Sequence, residues 1–242
     1  RMIRDVQSQV SHPAAPRAAR FPRFRPQPVA RMALKGPVVA AVLAAGLAAA
    51  VALAQQSMRI DDFAKTLPPG ELLPGWDTQK FSPRFGDGDV FFYQFVHDKG
   101  GDEHYIHMKS GTDNSYALGS KKGFKIKDWP VLEWEWRVTA LPKGGDVRIK
   151  AKDDQAGAMC VIHNPGLIGA DSLCYIWENK GPKGAELTST KRDASKYIIL
   201  RAADSDETGK WYSERRNIYE DFKKLFGQEP SKDSVIGVQI DS

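Results

Sequence analysis

The 242-residue chain is short of the residues from which reaction centres are usually assembled: it has two cysteines and five histidines. It contains no glycine-rich phosphate loop, no G-x-S-x-G turn and no complete set of metal ligands at regular spacing. The sequence therefore gives no support to nucleotide-hydrolysing, serine-hydrolase or zinc-enzyme readings. It also lacks a positive excess where a fold would carry one. Eight of the 35 Lys/Arg and one of the 30 Asp/Glu lie in residues 1–54, which leaves 27 basic against 29 acidic residues in 55–242. The sequence pI near 9.1 thus comes from the N-terminal segment, and nucleic acid is excluded as an expected partner. Residues 55–242 show no internal repeat.

One long apolar run is present, Gly36 to Ala54, preceded by Arg31 and Lys35 and closed by Ala52-Leu53-Ala54. A basic flank, an Ala-rich run and an A-x-A site form a secretory signal peptide. The expected organisation is a Pro/Arg/Ala-rich extension over 1–31 with no fold, a signal peptide over 32–54 starting at Met32, and one domain over 55–242. Residues 1–31 read either as over-extended translation or as a disordered basic extension. Export places the domain in the periplasm, free of the membrane after cleavage. The alternative is an N-terminal membrane anchor, since the run is close to the length that spans a bilayer.

With 41% apolar residues over its whole length and six Trp, all after residue 54, the chain has the composition of an ordered domain. Ser57 to Leu67 has helical spacing of Ile60, Phe63, Ala64 and Leu67, which predicts a short helix. Short runs with turn punctuation follow and predict an all-β sandwich or barrel. Val131 to Val138 alternates strictly, with Leu132, Trp134, Trp136 and Val138 on one face and Glu133, Glu135 and Arg137 on the other. Asp146 to Lys152 alternates too, and a hairpin with the first strand would set Glu135 by Lys150 and Glu133 by Lys152. Further strands are expected at Val90–Val96, Tyr105–Met108, Lys122–Ile126, Ala158–His163, Leu173–Trp177, Tyr197–Leu200 and Val235–Ile240. One amphipathic helix is predicted at Ile218–Phe226, capped by Asn217 and closed by Gly227.

In this order stand Gly75-Trp76, LEWEWRV at 132–138, Asp153-Asp154, Tyr175-Ile176-Trp177 and WYSERRNIYEDFKKLFG at 211–227. Together these motifs resemble the bacterial domain-of-unknown-function 3047 family over about 60–242. The resemblance implies an exported antiparallel sandwich, similar in outline to jelly-roll lectin and carbohydrate-binding modules. It also implies a D-x-D-N-T segment that begins at Asp241-Ser242 and one more strand after it, so the last strand is expected to be missing here. It implies no activity.

Several residues are candidates for function. Cys160 and Cys174 lie in the two arms of the second hairpin, and export predicts a disulfide between them; two buried thiols are the alternative. Asp153 and Asp154 could ligate Ca²⁺ with loop carbonyls, or serve as turn residues. Tyr175 and Trp177 share a strand face and could stack on a sugar, or pack in the core. Glu133 and Glu135 sit on a charged sheet face that could meet a hydroxyl-rich or anionic polymer. Arg216 and Asp221 flank the helix start, either as a structural pair or as a substrate-positioning one. His104 and His107, three apart on a strand, point to opposite faces and do not share a metal. No cofactor follows from the sequence beyond that Ca²⁺ option. The expectation is a monomeric module that binds a glycan or envelope polymer. A metal-assisted hydrolase or lyase of envelope polysaccharide and a structural envelope protein that binds another protein are the alternatives. No complete catalytic set is present, so binding stands ahead of catalysis.

Overall fold

The computed structural model describes residues 4–9, 56–65, 67–68, 71–80, 91–97, 104–111, 115–165 and 170–241. Arg1–Ser11 and Ile60–Ser242 belong to one compact unit and His12–Arg59 to another. The first unit is an all-β sandwich of two sheets.

One sheet has the order β12-β7-β1-β4-β3, built from β12 (Tyr212–Asn217), β7 (Val131–Val138), β1 (Arg4–Gln9), β4 (His104–Ser110) and β3 (Phe91–His97). The other runs β10-β11-β9-β8-β13-β5-β2, from β10 (Glu186–Thr188), β11 (Ser195–Ala202), β9 (Asp171–Glu178), β8 (Gly157–His163), β13 (Asp233–Asp241), β5 (Ser115–Ser120) and β2 (Trp76–Lys80). The two-residue β6 (Phe124–Lys125) also pairs with β13. Arg4–Gln9, inside the extension whose composition suggests no fold, is paired as the middle strand of the first sheet.

The inner row of β7 is what the alternation predicts: Leu132, Trp134, Trp136 and Val138 are all buried. Trp134 meets Tyr175 of the opposite sheet at 5.2 Å between ring centroids, and Trp136 meets Trp177 at 5.7 Å. Buried aromatic pairs of this kind add about 0.5–1.5 kcal/mol beyond the area they cover. The outer face of β8, β9 and β11 is covered as well, by a cluster that includes Val147, Cys160, Cys174, Ile176, Tyr197 and Ile199. Strands buried on both faces explain why β8 and β9 are apolar runs and not alternations.

The helix α1 (Ile218–Phe226) forms where its caps place it. The Asn217 side chain accepts from the Glu220 amide at 3.1 Å, and Gly227 closes the helix in the left-handed region at φ 65°. Two expected elements are different. Ser57–Leu67 is not helical over its described residues. Asp61 and Asp62 instead accept from the amides of Phe63 and Ala64, and such side-chain turns compete with a helix. Asp61 also accepts from the Trp76 indole at 2.6 Å. Asp146–Lys152 is not a strand either. It is a turn followed by a 3₁₀ turn at Lys150–Lys152, and Ile149 is 46% exposed. The edge of β7 that this hairpin would have used is taken by β12, which is antiparallel to β7, with Arg215 opposite Glu133 and Ser213 opposite Glu135. Lys150 and Lys152 are therefore not the cross-strand partners of these glutamates.

Cys160 and Cys174 are directly opposed in the β8–β9 pair and form a disulfide. A loop of 14 residues gives about 3 kcal/mol in the chain-entropy account. Replacing both cysteines by alanine is expected to lower the unfolding free energy by that amount in urea titration, and an unchanged midpoint would show that the sheet alone holds the hairpin. A second anchor is Asp206, which binds Lys183 and Arg201, each at 2.8 Å. Burial works to raise its pKa, but these cations and the Ala202 amide outweigh burial and hold it at about 2. The stabilisation is present above the ordinary carboxylate range and is lost as pH falls from about 4 through 2. Asp206→Asn is expected to cost roughly 1–3 kcal/mol at pH 7, with the gap to the parent chain closing at pH 2.5.

Candidate functional site

The outer row of β7 and its neighbours carry half-exposed chemistry on one sheet face. Glu133 pairs with Arg215 of β12, and Glu135 accepts from the Ser213 hydroxyl at 2.6 Å. Opposite charges meet across strands because β7 and β12 present their polar rows to the same side. Beside them the Arg137 guanidinium lies 4.9 Å from the centroid of the Trp211 ring and 6.0 Å from that of Tyr105. Tyr105 and Trp211 meet edge to face at 5.5 Å. Both rings are half-buried, so each is held in place and still meets solvent. A cation over the indole restrains it further. Rings, carboxylates and guanidinium on one face combine apolar surface with hydrogen-bonding groups.

A second cluster forms where β13 ends beside the loops at 153–156 and 189–192. Asp153 is buried, and its carboxylate accepts from the Gln155 amide and from the Thr190 hydroxyl. The Lys191 ammonium donates to the Asp153 carbonyl at 2.6 Å and to Asp241 Oδ2 at 3.3 Å. Tyr197 donates to the Ser189 hydroxyl at 3.3 Å. Burial raises the pKa of Asp153. Burial likewise lifts Asp241 to about 6, against the opposing pull of Lys191. Tyr197 is pushed up to about 12 by burial and by the Asp153 charge. Asp154 is held near by its backbone: a Cβ on Gly145 would sit 2.6 Å from the Asp154 carbonyl oxygen, so this close approach admits only glycine.

The structure distributes the sequence candidates over three environments. Glu133 and Glu135 are on the aromatic face. Asp153 and Asp154 are in the acid–lysine cluster, and Asp241 joins them. Among the described residues no three His, Cys, Asp or Glu groups are arranged to hold a metal ion. The cation that does sit between the Asp153 backbone and Asp241 is Lys191. Tyr175, Trp177 and Asp221 are interior, and Arg216 is half-buried beside them. Tyr175 and Trp177 are fully buried and present no ring to solvent. Tyr175 donates to Asp221 at 2.7 Å, and Arg216 binds both oxygens of the same carboxylate at 2.9 and 2.6 Å. Burial and the Asp221 charge drive the Tyr175 pKa far up. This triad fastens β12 and α1 to β9.

Sequence reasoning missed Tyr105, Trp211 and Lys191 as site residues, and reached Asp241 only as the start of the D-x-D segment that the family resemblance implies. Trp211 precedes β12, a strand with no apolar alternation to reveal it. Lys191 and Asp241 are distant in sequence from the Asp pair; Lys191 meets it from the turn between β10 and β11, and Asp241 from the end of β13.

The raised pKa of Asp241 has a defined sign. Its stabilising contribution is complete below the ordinary carboxylate pKa near 4 and is lost as pH rises through about 6. Asp153 acts in the same direction. Asp241→Asn is expected to match the parent chain at pH 4 and to be more stable by roughly 1–2 kcal/mol at pH 7, measured by urea unfolding at both values. Equal stability at pH 7 would contradict it.

The family model described as protein of unknown function (DUF3047) matches residues 74–242. That span takes in β2 to β13, α1, the disulfide and both clusters. No curated protein matches the chain. With more than half of its length matched, the chain belongs to the DUF3047 family of proteins of unknown function.

Proposed function

We propose that this chain is an exported periplasmic module that binds a glycan or related envelope polymer as a monomer. The observation that carries the reading is the half-exposed Tyr105–Trp211 pair, held under Arg137 beside the polar row of Glu133, Glu135, Ser213 and Arg215. A polymer lying on this face would rest pyranose C–H groups on the rings and place hydroxyl or acidic groups against the charged row. The disulfide agrees with an oxidising compartment, and the apolar run at 36–54 with its A-x-A end supplies the route there. The sandwich is in keeping with carbohydrate-binding modules of jelly-roll outline.

A second reading is a hydrolase or lyase acting on envelope polysaccharide. It is favoured by one observation, the meeting of Asp153, Asp241 and Lys191. A carboxyl titrating at about 6 is suited to proton transfer near neutral pH.

The test is titration of an envelope-glycan panel against the chain, read by intrinsic Trp fluorescence and by product analysis. Saturable binding without product, weakened at least tenfold in Trp211→Ala at unchanged melting temperature, is the expected result. Binding that survives Trp211→Ala, or no binding by any glycan of the panel, overturns the first reading. Product formed by the parent chain and lost in Asp241→Asn would establish the second.

A further inference from the structure

The loop over residues 142–152 is fastened against the outer face of the second sheet. Val147 is its buried plug, packed in the cluster of Cys160, Cys174, Ile176 and Ile199. Hydrogen bonds fix the rest. The Asp146 amide donates to the Lys152 carbonyl at 2.6 Å, and the Lys152 amide donates to the Ile149 carbonyl at 2.8 Å. Asn179 donates to the Pro142 carbonyl at 2.7 Å, the Val147 amide donates to Glu178 at 3.4 Å, and the Arg148 guanidinium donates to the Lys180 carbonyl at 3.4 Å. The loop and residues 178–181 are thereby one surface.

That surface holds out an uncommon set of side chains. Ile149 is 46% exposed and is the one large apolar side chain so displayed among the described residues. Around it Lys143, Arg148, Lys150, Lys152 and Lys180 are all exposed. Arg148 pairs with Asp146, while the four lysines enter no ion pair among the described residues. The neighbouring carboxylates of Asp146, Asp153 and Glu178 are buried. Residues 55–242 hold 27 bases against 29 acids, so this positive patch is local and does not follow from a basic domain.

The pairing of Ile149 with the lysines decides what the patch fits. Lysines alone suit any polyanion, but a hydrated polymer gives an exposed isoleucine nothing to enter. An anionic bilayer takes both: its phosphates meet the ammonium groups, and the isoleucine reaches the acyl boundary beneath them. The lysine stems can lie along the same boundary. A loop already fixed by its backbone loses little conformational freedom on docking.

We propose that the loop around Ile149, together with Lys180, docks the domain on an anionic phospholipid surface. The contact is peripheral and does not use the apolar run at 36–54. Val147 covers the face of β8, β9 and β11 that is turned away from β7, so the patch and the Tyr105–Trp211 face lie on opposite sides of the sandwich. The docking goes beyond the glycan reading and does not rest on it.

The experiment uses the full chain with an environment-sensitive fluorophore at Ala151→Cys. A reference sample is labelled at Gln228→Cys, beside Asp171 at the other end of β9. The probe is vesicles of equal parts phosphatidylglycerol and phosphatidylcholine, with pure phosphatidylcholine as control. The expected result is a blue shift and quenching by brominated lipid at position 151, absent at 228, absent on pure phosphatidylcholine, and fading as salt rises. The label reads the loop itself, so attachment through residues 1–54 does not count as docking. Lys150→Gln with Lys152→Gln is expected to weaken docking about twentyfold, and Ile149→Ser about fivefold, both at unchanged melting temperature. Lys125→Gln with Lys232→Gln removes the same charge at the far end of the sheet and should leave docking unchanged, as should Trp211→Ala, on which the glycan reading turns. The inference is overturned if position 151 stays in water on the anionic vesicles, if both labels respond alike, or if the distant lysine pair matters as much as Lys150 and Lys152. Docking indifferent to Ile149→Ser overturns it too, because charge alone would then serve and a soluble polyanion would fill the patch as well.

Discussion

The aromatic contacts between the sheets are the constraint on which the rest of the molecule depends. Trp134 on Tyr175 and Trp136 on Trp177 bring β7 and β9 face to face, and large rings in this position dominate what a two-layer domain can bury. The polar atoms of Trp136 and Tyr175 then dictate what surrounds them, whereas the Trp134 and Trp177 indole nitrogens are buried without a hydrogen-bond partner among the described residues. The Trp136 indole donates to Glu214 at 2.9 Å, and the Tyr175 hydroxyl donates to Asp221. Each carboxylate in turn recruits an arginine: Arg201 binds Glu214 at 2.6 Å and Arg216 binds Asp221. A buried carboxylate without such a partner would be costly, so the ring row carries a polar shell that ties β12, α1 and β11 to it.

The same rule governs the acids at the end of β13. Lys191 bridges Asp241 and the Asp153 backbone, and its single charge does not fully offset burial of two carboxylates. That imbalance is why Asp153 and Asp241 titrate high while Asp206, with two cations and a backbone amide, titrates low. Raised carboxylates in one cluster are a feature that functional sites share. The aromatic face is different in kind. Its charges are paired across strands and exposed, so they contribute little stability and remain available to a ligand.

Much of the fold was legible where local physics and tertiary packing agree. The alternation of β7 identified its buried row, the Asn217 and Gly227 caps bounded α1, and the two cysteines fell opposite each other in the β8–β9 hairpin. The failures came where two local rules competed. Residues 146–152 alternate as well as a strand does, but Asp146 binds its own neighbour Arg148 through both carboxylate oxygens and the chain turns. Residues 57–67 have helical spacing, but Asp61 is drawn to Phe63 and Trp76. Strands β2, β5 and β10 carried no strong period to announce them.

The sequence by itself determined the β class, the amphipathic helix, the disulfide pair and the membership that 74–242 records, because these rest on periodicity, caps and motif order that are local in the chain. Only the tertiary structure decided which residues share a site. Tyr175 and Trp177 have the right chemistry for a sugar platform but are sealed by the opposite sheet. Tyr105 and Trp211, 106 positions apart, meet because β4 and β12 present their outer rows on one side of the sheet that β7 joins. Asp241 reaches Lys191 because β13 runs beside β8 to the edge of the 153–156 loop. Strand pairing is set by the burial of one face against a distant partner, and a period of two says which residues point together without saying what they point at.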